Sequence, residues 1–491
     1  MTLQGVNPKT GQPFGKTFPS VTQADVNKAF SAIGPFLQTP AERSAMLQSI
    51  AAELESSRAA IVDIAMQESG LPEARLNGEL TRTIFQVKTF ADYVGSGKHL
   101  NAVLDKADPD YGMGPRPDLR KVNRPRGIIA VFAASNFPLA FSVAGGDAIS
   151  ALAAGNAIVL KAHPSHPNTS EIVYECIQRA LKLHNLPASA FTMIQGDDPQ
   201  ITHWIAEHPR VDAIGFTGST FVGKLLVSIA AKRPVPIPVY AEMGAINPLF
   251  ITSSAIKERG AELAKGAVDS ALLGSGQFCT KPGLMIIPKT NANDFLVAVK
   301  EHLATLAVGQ LLNKSIAERY SAAISKIASS GKVEVYSGLS QAEGFGVTPT
   351  FFVAPWEVVK DSHELLEEHF GPTAVIAIAD EADYVQIAWS LEGQLTSTIQ
   401  GTESDSVETL VDVLSHRSGR VIWNGFPTGV SVTPAMQHGG PWPASSIDST
   451  SVGIDAIYRF MRPVAYQNMP QKFLPGGVQD ANPWNVPQSK N

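Results

Sequence analysis

Between residue 124 and about residue 243, short apolar runs alternate with helix-length segments, and this alternation restricts the chain to few folds. The runs are Ile128–Phe132, Ile158–Leu160, Phe191–Ile194 and Ala213–Phe216, separated by segments 143–154, 170–183 and 200–207. Strands apolar on both faces and joined by helical crossovers predict a mostly parallel α/β sheet. A second alternating series from about 245 to 440 extends the same reading.

One stretch invites misreading. Between Arg126 and Lys161 the only charge is Asp147, as in a membrane span. The breaks Ser135-Asn136-Phe137-Pro138, Gly145-Gly146-Asp147 and Gly155-Asn156 cut it into strand and short-helix lengths. A buried β-α-β unit is therefore expected, with a strand over 127–134, a helix over 143–154 and a strand over 157–161. The first eight residues lack a basic stretch followed by an apolar core, so no secretory leader is read. The net charge of −6, without like-charge blocks, disfavours a nucleic-acid platform or a polybasic membrane binder. Two cysteines make no disulfide framework, and no metal-ligand spacing is present. A cytoplasmic protein is expected.

Elsewhere the organisation is coarser. Residues 21–99 are strongly helical, with Pro40 in the first turn of one helix. Residues 100–122 are turn-rich and polar, and the tail 455–491 is rich in Pro, Asn and Gln. The tail reads as an arm laid on a neighbouring subunit.

Four features could carry chemistry. Cys279 lies in the glycine-punctuated loop 274–283, where main-chain N–H groups can approach an atom bound beside the sulfur. It is a candidate nucleophile, whereas Cys176 sits in a helical pattern and reads as a buried apolar residue. Phe216-Thr217-Gly218-Ser219 ends a strand and opens a helix, a geometry suited to binding an anion. A capped helix start gives the same pattern. Glu242 stands in apolar company, which predicts a raised pKa suited to accepting a proton; a buried ion pair is the alternative. Asn136, in a turn after a strand, could donate to an oxyanion or simply cap the turn.

Taken in order, these segments resemble the aldehyde dehydrogenase superfamily from about residue 5 to 470. Ser135-Asn136-Phe137-Pro138 matches its Trp-Asn-Phe-Pro turn, with serine replacing tryptophan, and Phe216–Ser219 matches its nucleotide-binding turn. Glu242-Met243-Gly244-Ala245, Gly276-Gln277-Phe278-Cys279 and Glu368-His369-Phe370-Gly371-Pro372 match three further motifs. Within the superfamily, Phe132–Asp147, Lys161–Pro167, Asn424–Val430 and His438–Pro441 resemble the alpha-ketoglutaric semialdehyde (2,5-dioxopentanoate) dehydrogenases and their NADP-preferring relatives.

The resemblance implies two Rossmann-like open-sheet α/β domains plus a small β oligomerisation arm. Residues 1–99 and 123–243 would bind the nucleotide, 244–440 would carry the nucleophile, and 100–122 with 455–491 would form the arm. It implies Cys279 as nucleophile, Asn136 as oxyanion donor and Glu242 as base for the hydrolytic water. Lys161, His163, Pro164, Ser165, Gly218, Ser219, Glu368 and Phe370 would contact the cofactor. Phe137, Phe141, Gln277, Phe278 and Thr280 would line the substrate pocket, and no metal is implied. Pro164 stands where NAD-selective members carry glutamate, so NADP is expected with NAD accepted. The expected assembly is a homodimer or homotetramer acting on a small aldehyde. Rival readings are a broad NADP-linked dehydrogenase, a thiol esterase or acyl-transferase using Cys279, and a CoA-acylating enzyme. The last is disfavoured because such relatives commonly lack the glutamate matching Glu242.

Overall fold

The computed structural model describes residues 2–34, 38–341 and 343–491. The first alternating series forms a five-stranded parallel sheet in the spatial order Phe191–Ile194, Ala157–Lys161, Ile128–Phe132, Ala213–Thr217, Val239–Glu242. Alternate residues of its strands enter different cores. Ile129, Val131, Ile158 and Leu160 join one, while Ile128, Ala130, Val159 and Ile214 join the other. With both faces covered, the period of two leaves no polar signature in the sequence.

The helix expected over 143–154 spans Gly146–Ala154. Residues before it are held in turns, where the Gly145 N–H donates to the Ser142 carbonyl. From the central strand Ile128–Phe132 the chain passes through this helix to Ala157–Lys161 on one side. The return strand Ala213–Thr217 lies on the other side. This reversal opens a crevice beyond the carboxyl ends of the two strands, the usual ligand position in open α/β sheets.

The second series forms a seven-stranded sheet ordered Glu334–Ser337, Thr350–Pro355, Thr373–Ala379, Leu284–Pro288, Pro248–Ile251, Gln394–Gln400, Ser418–Trp423. Every pairing in it is parallel except that of the edge strand Glu334–Ser337. The N-terminal helical region contains Gln23–Ser31, Pro40–Ser56, Arg58–Ser69 and Glu73–Gly95. Thr39 and Glu42 form a reciprocal capping box around Pro40. Among the described residues no helix is long and apolar enough to cross a membrane.

A four-stranded sheet is ordered Met461–Gln467, Leu119–Pro125, Ala102–Asp105, Gln488–Lys490. Part of the expected arm is seated on its own chain. Leu474, Val478 and Val486 are buried in the same core as the first sheet, and Arg120 bridges Asp118 and Asp480 at 2.8 Å each. Deleting residues 468–491 should therefore destabilise the chain, by on the order of 5 kcal/mol from the three apolar side chains alone. Thermal unfolding checks this, and an unchanged melting temperature would refute it.

Candidate active site

The helix Ser253–Leu272 runs into a tight turn in which Gly274, Ser275 and Gly276 have φ of 59°, 57° and 70°. This left-handed run suits glycine, and at Gly276 a Cβ would lie 2.1 Å from the Gly371 carbonyl oxygen. Gln277 braces the loop, its Nε2 donating to Gly274 O at 3.2 Å and its Oε1 accepting from Leu312 N–H at 3.0 Å. The Asn247 amide donates to the carbonyls of Cys279 (2.8 Å) and Lys281 (3.0 Å), stapling the loop to the seven-stranded sheet. Gln277 and Thr280, two expected pocket residues, are both buried, and Gln277 holds the loop in place. Cys279 stays partly exposed. Cys176 is fully buried in helix Pro167–Leu183, beside Arg179 Nη2 at 3.2 Å.

Glu242 ends the strand Val239–Glu242, and its carbonyl accepts the Gly218 N–H at 3.0 Å. The carboxylate meets two residues that sequence reasoning did not place in the site. Its Oε2 accepts the Ser451 hydroxyl at 2.5 Å, and its Oε1 lies 2.9 Å from His438 Nε2. The same His438 nitrogen is 3.6 Å from Cys279 Sγ. Oε1 lies beside the imidazole without a directed hydrogen bond. By donor type and distance, Glu242, Cys279 and His438 could also share a metal ion, for which the sequence holds no spacing signal. His438 was visible only as part of a subgroup motif, and Ser451 carried no signal.

The electrostatics reverse one expectation. Burial is the largest influence on Glu242 and pushes its pKa up. His438, the Ser451 hydroxyl and the Cys279 thiol together outweigh burial, so the carboxyl lies below its ordinary value. Glu242 is an ionised acceptor at neutral pH. Burial, reinforced by Glu242 and Glu368, pushes the Cys279 thiol well above its ordinary value. The resting sulfur is protonated and needs a base to become a nucleophile.

Asn136 donates from Nδ2 to the Gln277 carbonyl at 2.9 Å, which sets it beside the nucleophile loop with a second N–H to offer. Its turn is pinned by buried Glu79, whose Oε1 accepts the N–H groups of Leu139 (2.9 Å) and Ala140 (3.0 Å). Phe137 packs edge-on against Phe141 and Phe278, with ring centres 5.3 and 5.0 Å away, and Phe141 neighbours the His438 ring at 6.1 Å. These rings form an apolar collar next to Cys279.

The turn Thr217-Gly218-Ser219 opens helix Thr220–Lys232 at the crevice, with Gly218 and Ser219 exposed. Nearby, Glu368 lies against the main chain of Gly244, where a Cβ would fall 2.1 Å from Oε2. Burial raises the Glu368 pKa to about 7, with Lys281 opposing the shift. An exposed helix N-terminus at the crevice fits a pyrophosphate, and the carboxyl fits a ribose hydroxyl, so these residues suit a nicotinamide dinucleotide.

Four of the expected cofactor contacts have partners within the chain. Lys161 turns inward, its Nζ donating to the carbonyls of Ala162 (2.7 Å) and Gly196 (2.6 Å), and burial lowers its pKa to about 8. The Ser165 hydroxyl accepts from the Asn313 amide at 2.8 Å, and Phe370 packs on the core of the seven-stranded sheet. His163 accepts the Ser165 N–H at 3.2 Å, and its pKa lies well below the ordinary value through burial. Pro164 is partly exposed beside it.

A partly exposed cysteine, an ionised carboxylate and an amide are gathered near a crevice whose lining suits a dinucleotide. The chain belongs to the aldehyde dehydrogenase family, whose model matches residues 1–464. It is an NAD(P)-dependent aldehyde dehydrogenase. Over its whole length it is 40% identical to alpha-ketoglutaric semialdehyde dehydrogenase 2 of Azospirillum brasilense, covering 96% of that protein. It is also 40% identical, over its whole length and 95% of the other chain, to the alpha-ketoglutaric semialdehyde dehydrogenase of Acinetobacter baylyi. The solved structure of a glyceraldehyde-3-phosphate dehydrogenase from Methanocaldococcus jannaschii, complexed with NADP, shares the fold. Its TM-score is 0.80 over 94% of this chain and 98% of that one, at 20% identity.

Proposed function

We propose that the enzyme oxidises 2,5-dioxopentanoate (alpha-ketoglutaric semialdehyde) to 2-oxoglutarate on Cys279, with His438, Glu242 and Asn136 as partners. The chemistry rests on the meeting of His438 Nε2 with both Cys279 Sγ and Glu242 Oε1. The substrate rests on the full-length identity to the two semialdehyde dehydrogenases.

The thiol proton of Cys279 passes to His438 Nε2, and the sulfur bonds to the aldehyde carbon. Negative charge then builds on the oxygen of the tetrahedral thiohemiacetal, where the Asn136 amide and the Cys279 backbone N–H donate to it. The nicotinamide, when bound, supplies a hydride acceptor; Gly218 and Ser219 would hold the pyrophosphate and Glu368 a ribose. Loss of hydride leaves a thioester on Cys279. Glu242 Oε1 takes a proton from water, the water oxygen attacks the thioester carbon, and the C–S bond breaks to release the acid.

NADP is the preferred cofactor in this reading, with NAD accepted, because Pro164 offers no carboxylate to repel a 2′-phosphate. Lys161 would have to leave its carbonyl partners to pair with that phosphate. Steady-state kinetics over 2,5-dioxopentanoate and simple aldehydes, with both cofactors, tests substrate and cofactor together. The expected result is a kcat/KM highest for 2,5-dioxopentanoate with NADP. A higher value for simple aldehydes would overturn the substrate, and a higher value with NAD the cofactor preference.

A homodimer or homotetramer is supported by two of the sheet-edge strands, Ser418–Trp423 and Met461–Gln467. Val421, Trp423 and Phe426 are exposed on or beside the first of them. Light scattering at micromolar concentration should return a multiple of the 52.3 kDa chain mass. A mass equal to one chain would contradict this assembly.

A further inference from the structure

An aldehyde that carries a carboxylate at its far end needs a cation there, because a buried carboxylate without a partner is costly. Helix Glu73–Gly95 carries Arg75, Glu79, Arg82 and Gln86 at spacings of four, three and four residues, which align them on one face. The Arg75 guanidinium lies over the rings of Phe137 (4.6 Å) and Phe278 (4.9 Å), and Glu79 Oε2 lies 3.5 Å from it. Its charge is thus paired within the helix, although its Nη1, like that of Arg82, is buried with no hydrogen-bond partner.

Arg82 is different. Its guanidinium lies 5.1 Å from the ring centre of Phe141, the ring that neighbours His438. It forms no ion pair among the described residues, and its Nη1 is buried with no hydrogen-bond partner. One turn along, Gln86 is 2% exposed, and neither its Oε1 nor its Nε2 has a partner. The Gln86 amide faces Gly146, where a Cβ would lie 3.4 Å from Nε2 and 3.0 Å from the carbonyl of Ser451, the residue bound to Glu242. A guanidinium that forms no ion pair, with one buried unpartnered nitrogen, and an unpartnered amide therefore stand one helical turn apart beside the catalytic cluster. Buried polar groups are rarely left unpaired without a ligand or water to meet them.

We propose that Arg82, with Gln86, is the receptor for the carboxylate end of the substrate. The guanidinium grips the carboxylate through two parallel N–H bonds, and the Gln86 amide N–H donates to the adjacent 2-oxo oxygen. The Arg82 guanidinium stands close enough to Cys279 and Glu242 for both to carry an electrostatic influence on it. This receptor rests on the substrate reading given above.

The test compares kcat/KM for 2,5-dioxopentanoate with that for pentanal, an uncharged aldehyde of the same length. A wild-type preference for the charged aldehyde supports the substrate reading; its absence overturns that reading and the receptor with it. Given that preference, Arg82→Gln should lower the ratio by ~10- to 100-fold, as for loss of a hydrogen bond to a charged group. Arg82→Lys should restore part of it, and Gln86→Leu should lower it less. A ratio unchanged in Arg82→Gln, or an equal loss on both aldehydes, overturns the receptor while leaving the substrate reading intact. A measurement on the unmodified enzyme covers the event that the variants do not fold. 2-Oxoglutarate should protect Arg82 from phenylglyoxal, read by peptide mass mapping, and an equal rate of modification with and without it counts against the receptor.

Discussion

Cys279→Ala abolishes aldehyde oxidation, a loss expected to reach at least ~10⁴-fold, the scale seen when a covalent nucleophile is removed. Cys176→Ala leaves turnover close to normal. The contrast follows from where each sulfur sits. Cys279 is partly exposed in a loop held by Asn247 and Gln277, with His438 Nε2 3.6 Å away to take its proton. Cys176 is fully buried in a helix, and burial raises its pKa although Arg179 opposes this. Its removal costs packing of about 1 kcal/mol and no chemistry. Initial rates with either cofactor check both variants, and near-normal turnover by Cys279→Ala would end the covalent mechanism.

Glu242→Gln is expected to slow thioester hydrolysis by ~10²–10⁴-fold while hydride transfer is less affected, because an amide keeps the shape but cannot accept a proton. Rapid mixing should then show a burst of reduced cofactor followed by slow turnover. His438→Gln should give the opposite pattern, a slowed burst, because the raised thiol pKa of Cys279 leaves the sulfur dependent on a neighbouring base. The sign of the Glu242 shift matters here. With its pKa below the ordinary value, the group is already charged throughout the neutral range, so deacylation should not rise through a Glu242 titration near neutrality. If the burst is the step most slowed in Glu242→Gln, that residue serves mainly the cysteine, and the division of labour with His438 is wrong.

Much of the architecture was readable along the chain. The strands Ala157–Lys161 and Phe191–Ile194 fall where the apolar runs place them, and Pro40 in the first turn marks one helix start. Helix Gly146–Ala154 begins three residues later than its composition suggests, because the preceding apolar residues are held in turns. The seating of the tail on its own chain was hidden for a related reason. Its proline-rich sequence has no periodicity to announce that Leu474, Val478 and Val486 drop into a core built by distant segments.

The site divides along the same line. Cys279, Glu242, Asn136 and the Gly218-Ser219 turn stand at ends of strands or in glycine loops, and local sequence marks such places through turn residues and breaks in apolar runs. His438 and Ser451 reach the site from positions 159 and 209 residues beyond their partners, and no short-range pattern carries that information. The inward turn of Lys161 and the lowered pKa of Glu242 are likewise products of packing. Burial alone predicts a raised carboxyl pKa, and only the approach of an imidazole, a hydroxyl and a thiol reverses it. The sequence by itself determined the strands, the crossovers and the kinds of reactive group, because periodicity and turn chemistry act between near neighbours. The tertiary structure alone decided which groups meet and with what charge, because those contacts depend on how segments far apart in the chain pack together.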